Sequence, residues 1–217
     1  MLVVAGDLVS ITLLSLLVSG TSTLLATLVA VPLGVTLGLR EIGSQRLLRN
    51  ILFTLYGLPP VLAGLLVFLL LRRDGPLGSL GLLFTPLGMI LAQFVIVTPI
   101  LLGITMSVVA TVERRVKDTA FALGADRRQV SVTVLHEAAA GILTGVMVGF
   151  GRAISEVGAV FIVGGHIEGR TQVLTTSIIT DIQAADYADA VGLGAVLLII
   201  AAVVYSLLYR LQERTLP

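Results

Sequence analysis

Apolar residues in this chain come in long blocks and do not alternate or recur on one face. Apolar runs of about 20 residues, the length a helix needs to cross the hydrocarbon core of a bilayer, fall at about 8–39, 51–71, 86–111, 138–164 and 188–209. The pattern predicts an all-α integral membrane protein with about five crossings and its termini on opposite sides. The first run is long enough to raise the question of a hairpin turning at Gly20-Thr21-Ser22-Thr23. Each arm would then have only about a dozen residues, too few to cross. A single tilted helix of roughly 48 Å, with a bend at Pro32, fits better.

Composition agrees with the pattern. Of 217 residues, 56% are hydrophobic and 12% charged, and the mean hydropathy is +1.05; a soluble domain carries about a quarter charged residues. No polar stretch is long enough for a soluble core, so one transmembrane domain over 1–217 is expected. Cysteine is absent, which excludes disulfides, iron–sulfur clusters and thiolate metal sites. Tryptophan is absent too, leaving interfacial anchoring to Tyr56, Tyr205 and Tyr209. The N-terminal stretch lacks a basic leader and a small-residue cleavage site, so the first helix is expected to stay in the protein.

The placement of Lys and Arg gives orientation, because short cytoplasmic segments retain positive charge. Arg40, Arg46, Arg49, Arg114, Arg115, Lys117, Arg127, Arg128, Arg210 and Arg214 share one side; Arg72, Arg73 and Arg170 share the other. Ten against three predicts an external N-terminus and a cytoplasmic C-terminus. Pro32, Pro59-Pro60 and Pro99 fall in or at the spans, each removing a backbone donor that neighbours must compensate. Gly141, Gly145 and Gly149 are spaced four apart, a pattern that lets helices approach closely, either within one bundle or between subunits.

The predicted cytoplasmic loop 112–137 is long enough to have structure of its own. Val116, Ala120 and Leu123 lie a helical turn apart. Gly124 offers a left-handed stop and Asp126 a cap for a following helix. A short helix, a glycine turn and a second short helix are expected there, as a docking element or as a solvated charged linker.

The segment Asp118-Thr119-Ala120-Phe121-Ala122-Leu123-Gly124 resembles the Glu-Ala-Ala-x-x-x-Gly loop of ABC importer permeases, with Asp118 in the acidic position and Ala120 and Gly124 matching. That family often ends the motif with Ile-x-Leu-Pro. Here Val134-Leu135-His136-Glu137 stands instead, which leaves open whether loop and fourth span form one continuous helix. Glu137-Ala138-Ala139 repeats the family's opening letters without its glycine. Gly151-Arg152-Ala153-Ile154-Ser155-Glu156-Val157-Gly158-Ala159-Val160 and Gly164-Gly165-His166-Ile167-Glu168-Gly169-Arg170-Thr171-Gln172 are similar to the corresponding stretch of molybdate, tungstate and sulfate permeases, tungstate nearest. The resemblance implies a type I, MetI-like permease fold in the plasma membrane, working as a homodimer with two copies of a separate ATP-binding subunit and an extracytoplasmic substrate-binding protein. It implies oxyanion uptake by alternating access, with tungstate first and molybdate or sulfate as alternatives. It also implies that Asp118, Ala120, Leu123, Gly124 and Ala125 form the loop that couples to the ATPase. A secondary transporter or channel driven by an ion gradient is the rival of a different class.

Arg152 and Glu156 fall near the middle of the expected fourth span, where a charge costs a few kcal/mol. They, with Ser155, are the candidate translocation pathway; the alternative is a structural ion pair. His166, Thr171, Thr175, Thr176, Ser177 and Thr180, followed by Asp181, Asp186 and Asp189, would line the outer mouth, receive the binding protein, or form an ordinary solvated loop. The one lysine, Lys117, is followed by Asp118, so no P-loop is present and ATP hydrolysis must belong to a partner. His136-Glu137 lacks the second histidine of a zinc-protease helix, since position 140 is Ala140. No enzyme activity, cofactor, metal or nucleic-acid partner is expected; membrane lipid is.

Overall fold

The computed structural model describes residues 5–39 and 45–215; Arg40, one of the ten basic residues expected on the cytoplasmic side, lies outside them. Among the described residues all regular structure is helical: α1 (Ala5–Gly38), α2 (Gln45–Tyr56), α3 (Pro60–Leu71), a 3-10 turn at Gly78–Leu80, α4 (Pro86–Ala122), α5 (Arg127–Ile154), α6 (Gly158–Gly164), α7 (Leu174–Gln183) and α8 (Tyr187–Thr215). Four helices among these residues, α1, α4, α5 and α8, are long and apolar enough to cross a membrane, and α2 with α3 makes a fifth crossing if the bent pair is one span.

The first apolar run is one helix that continues through Pro32. It packs along α4 in a fixed register: the Ser22 hydroxyl meets Gln93, separated by 71 residues, and Gly34 meets Thr105 while Gly38 meets Val109 at the same separation. Ala26 and Ala30 fill the interval against Val97 and Leu101. A constant offset means that α1 and α4 run in the same direction. The end of α1 therefore lies beside the far part of α4, and the chain between them must return the length of the shared interface, about 30 Å for the 20 residues from Val18 to Gly38. This requirement, independent of hydropathy, makes α2 and α3 a return crossing. The run 51–71 is not a straight helix, however: Pro59 and Pro60 break it, and its halves meet at 94°.

The next two helices form an antiparallel hairpin. Thr85 caps α4, accepting from Gly88 N at 3.3 Å, with Pro86 in the first turn where its missing donor costs nothing. Gly141, Gly145 and Gly149 of α5 face Val108, Ile104 and Val97 of α4, so the glycine stripe serves packing inside the bundle. On the other face α8 leaves Val191 and Leu198 more than 70% exposed, as a lipid-facing helix does.

Candidate functional site

The expected loop 112–137 contains no free linker. Helix α4 runs on past 111 to Ala122, and α5 begins at Arg127 and continues unbroken to Ile154. The two short helices expected there are the ends of two long ones, because the apolar face of each continues: Val116, Ala120 and Ala125 pack with Val109, Val130, Val134 and Ala138. The turn itself is a Schellman stop. Gly124 has φ +82°, its N–H donates to Phe121 O at 3.0 Å, and Ala125 N–H donates to Ala120 O at 2.9 Å. Asp126 then caps α5 by accepting from Gln129 N at 2.8 Å, while the Gln129 side chain accepts from Asp126 N at 2.8 Å.

Ala120, Gly124 and Ala125 thus build the turn. Leu123 departs from the expected stripe: as the residue that leaves the helix it turns outward and is 83% exposed, beside a half-exposed Phe121. Asp118 contributes backbone to α4, and its side chain lies outside the described residues. The result is a narrow knob with an apolar tip, stiffened by two capped helices.

The second cluster lies at the opposite end of α5. The continuous span expected over 138–164 stops at Ile154, turns through Ser155–Val157, and resumes as the short α6. Arg152 is consequently in the last turn of a helix and not mid-span, where a cation complements the helix dipole. Its guanidinium meets the Glu156 carboxylate at 2.6 Å, with the Arg152 side chain 30% exposed and that of Glu156 2%. Within a helix, acid before base is the better order for a pair four residues apart; that preference does not bear on Arg152 and Glu156, because Glu156 lies past the end of α5.

The other carboxylate oxygen of Glu156 accepts from Ala159 N at 3.0 Å, so one side chain ties the last turn of α5 to the first turn of α6. The Thr175 hydroxyl donates to Glu156 O at 3.0 Å. Ser155 is exposed, its hydroxyl donating back to Gly151 O at 2.8 Å. The three candidate pathway residues are therefore together at one break, presenting a partly exposed guanidinium and a hydroxyl.

The hydroxyl run after His166 is no solvated loop. Thr171, Thr175, Thr176 and Ser177 are buried. Thr171 donates to Gly164 O at 2.7 Å and accepts from Ile167 N at 2.8 Å, closing the 164–171 loop on itself. His166, at φ +47°, stacks on Phe161, and its Nδ1 lies 2.8 Å from the Thr176 hydroxyl. Burial lowers the His166 pKa against the opposing pull of Asp181 and Glu168.

Sequence reasoning missed the buried polar seam facing the break. Gln93 of α4, 3% exposed, accepts from the Ser22 hydroxyl at 2.8 Å and donates to Ala153 O at 2.9 Å. A lone amide in the apolar run 86–111 was the available signal.

Residues 30–216 match the family described as binding-protein-dependent transport system inner membrane component. The chain is 42% identical over 204 residues to the tungstate uptake system permease protein TupB of Peptoclostridium acidaminophilum, covering 94% of this chain and 90% of that one. It is 38% identical to a probable anion ABC transporter permease protein of Haloferax volcanii, over 96% of this chain and 92% of the other. To the sulfate transport system permease protein CysW of Synechocystis it is 28% identical, over 89% and 75%. A multi-helix membrane bundle, a stiff apolar knob between two of its helices and a match over most of its length make the chain a member of the binding-protein-dependent transport system inner membrane components, the permease part of an ABC transporter whose ATPase is a separate subunit.

Proposed function

We propose that this chain is the permease of an ABC importer for tungstate, acting as a homodimer with its N-terminus outside and its C-terminus in the cytoplasm. The substrate follows from the 42% identity to a tungstate permease over nearly the whole chain, and the orientation from the ten-to-three division of Lys and Arg. The mechanism rests on one observation, the exposed apolar tip at Leu123 carried on the Gly124 turn. An exposed leucine at the end of a hairpin packed along its length transmits displacement when a partner grips it, because close-packed helices move as bodies. In this reading Asp118, Ala120, Leu123, Gly124 and Ala125 dock into the ATPase, whose closure on ATP shifts α4 and α5 together.

At the far end of α5 the same shift moves Arg152. A guanidinium presents donors in a fixed fork suited to an oxyanion, and Ser155 adds a hydroxyl on the exposed side. Glu156 holds Arg152 between transits and competes with the passing anion, which keeps binding weak enough for release.

The test is reconstitution of the permease with its ATPase and substrate-binding protein in vesicles. Hydrolysis should be stimulated by the binding protein loaded with tungstate more than with molybdate or sulfate, and Gly124→Asp should insert normally yet uncouple hydrolysis from uptake. Uptake driven by an ion gradient without ATPase would overturn the assignment.

A further inference from the structure

The break that carries Arg152 is held from α4 by a residue to which the pathway reading assigns no role. Helix α5 ends at Ile154, so Ala153 O has no donor four residues on. It accepts instead from Glu156 N at 3.1 Å and from Gln93 Nε2 at 2.9 Å. The same nitrogen lies 3.4 Å from Ser19 Oγ, and Gln93 Oε1 accepts from the Ser22 hydroxyl at 2.8 Å. One planar amide therefore links α1, α4 and the residue next to Arg152. Because the amide is rigid, α5 cannot shift against α1 and keep all three contacts.

A cavity of about 10 Å³, the space of one water, lies against the amide, lined by Ser15, Ser19, Ile154 and Thr175 among others. The hydrogen bonds of the amide are replaceable. Ser22 has Ser19 O at 3.0 Å as a second acceptor, and Ala153 O keeps Glu156 N. Releasing Gln93 orphans neither of these groups, which suits a contact that breaks and re-forms in each cycle.

We infer that Gln93 is a positioning residue for transport: it sets the end of α5, and with it the Arg152 guanidinium, in register with α1. The inference rests on the placement of Arg152 in the pathway proposed above.

The experiment reconstitutes the full complex and reads tungstate carried inward per ATP hydrolysed. A purely structural role would lower uptake and hydrolysis together by reducing assembled complex, leaving that ratio unchanged. Gln93→Leu, similar in volume and lacking the amide, is expected to lower the ratio about tenfold, the change that loss of about 1.4 kcal/mol of hydrogen bonding produces. Hydrolysis per assembled complex is retained. Gln93→Met, also close in volume, has no donor toward Ala153 O and packs more flexibly than leucine; it should act in the same direction and serves if the leucine variant does not assemble. Arg152→Ala is measured in parallel. A fall in the ratio for both positions supports the inference. A ratio lost in Arg152→Ala and retained in the Gln93 variants overturns the role of Gln93 and leaves the pathway standing. A ratio retained in Arg152→Ala overturns the pathway reading and the positioning role with it.

Discussion

Removing either partner of the Arg152–Glu156 pair should have unequal consequences, because the two charges are unequally buried. The Glu156 side chain is 2% exposed and that of Arg152 30%. Arg152→Leu strands a carboxylate that keeps one partner, Ala159 N. Breaking a buried pair costs about 3–5 kcal/mol, and the surviving hydrogen bond puts this variant near the low end, about 3 kcal/mol. Glu156→Gln leaves a guanidinium that can reach solvent and an amide oxygen that can still accept from Ala159, so its cost is about 1 kcal/mol. At roughly 2–4 °C per kcal/mol for a chain of this size, the arginine variant should melt about 6–12 °C lower and the glutamine variant only a few degrees lower.

The double replacement Arg152→Leu with Glu156→Leu removes both charges and should recover much of the loss of Arg152→Leu, since an apolar pair of similar volume is often as stable as a buried ion pair. Thermal unfolding of the purified permease measures all three, and uptake in vesicles is read alongside. Equal melting temperatures for Arg152→Leu and Glu156→Gln, or a double variant no better than Arg152→Leu, would refute the burial reasoning. A stable double variant that transports at the wild-type rate would reduce the pair to a structural device.

Three further outcomes follow from the same geometry. A Cβ on Gly64 would lie 2.6 Å from Ala159 Cα, so Gly64→Ala must push α3 from α6 and should cost about 1–3 kcal/mol in thermal unfolding; Gly20→Ala, where nothing lies within 4 Å, should be neutral or stabilising. Gly124 also has open space around it, so substitution there costs only backbone strain: Gly124→Ala should lose about 1–2 kcal/mol and weaken co-purification with the ATPase more than Gly124→Asn, which tolerates a left-handed φ. Burial lowers the His166 pKa, so the fold holds fewer protons there than the unfolded chain does. Stability should fall as pH drops below the ordinary histidine value, about 6.5, and His166→Asn, which suits φ +47°, should flatten that part of a melting-temperature profile between pH 7.5 and 5.

Much of the bundle was legible because lipid imposes length and apolarity on each crossing, and the Gly124 stop with its Asp126 cap was legible because left-handed turns and N-caps have few residue solutions. The α1–α4 register was equally open to reading. Ser22, Ala26, Ala30, Gly34 and Gly38 form a small-residue stripe four apart, matching that of Gly141, Gly145 and Gly149, and both stripes face α4. What could not be read was where helices end inside an apolar run. Residues 138–164 are continuous in hydropathy, and nothing in Ala153-Ile154-Ser155-Glu156-Val157 excludes helix. The stop is made by tertiary partners, with Gln93 on Ala153 O and Thr175 on Glu156 O, and by one local contact, Glu156 on Ala159 N. Gln93 is far from Ala153 in sequence, so its role appears only when α4 and α5 are placed side by side.

The break between α2 and α3 meets the turn between α5 and α6. Val61, one residue into α3 after the Pro59-Pro60 break, lies against Gly158 at the start of α6, where a Cβ would come within 2.9 Å of its Cγ2; Gly64 touches Ala159 one turn on. A broken helix in a membrane protein is tolerated where its freed backbone groups are buried in protein or face a water-filled route, and two breaks at one level concentrate that requirement in one place. Pro60 meets part of it by having no N–H to satisfy, and Glu156 meets part by accepting from Ala159. Arg152 is the partly exposed charge at that level. Straightening the chain at either break would remove the polar environment that lets a guanidinium sit there, so the prolines at 59–60 and the ion pair at 152–156 belong to one device although nearly a hundred residues separate them. Replacing Pro59 and Pro60 by alanine should therefore impair transport through Arg152 while lengthening α2 into α3, and unchanged uptake in a permease with a straightened second crossing would separate the two.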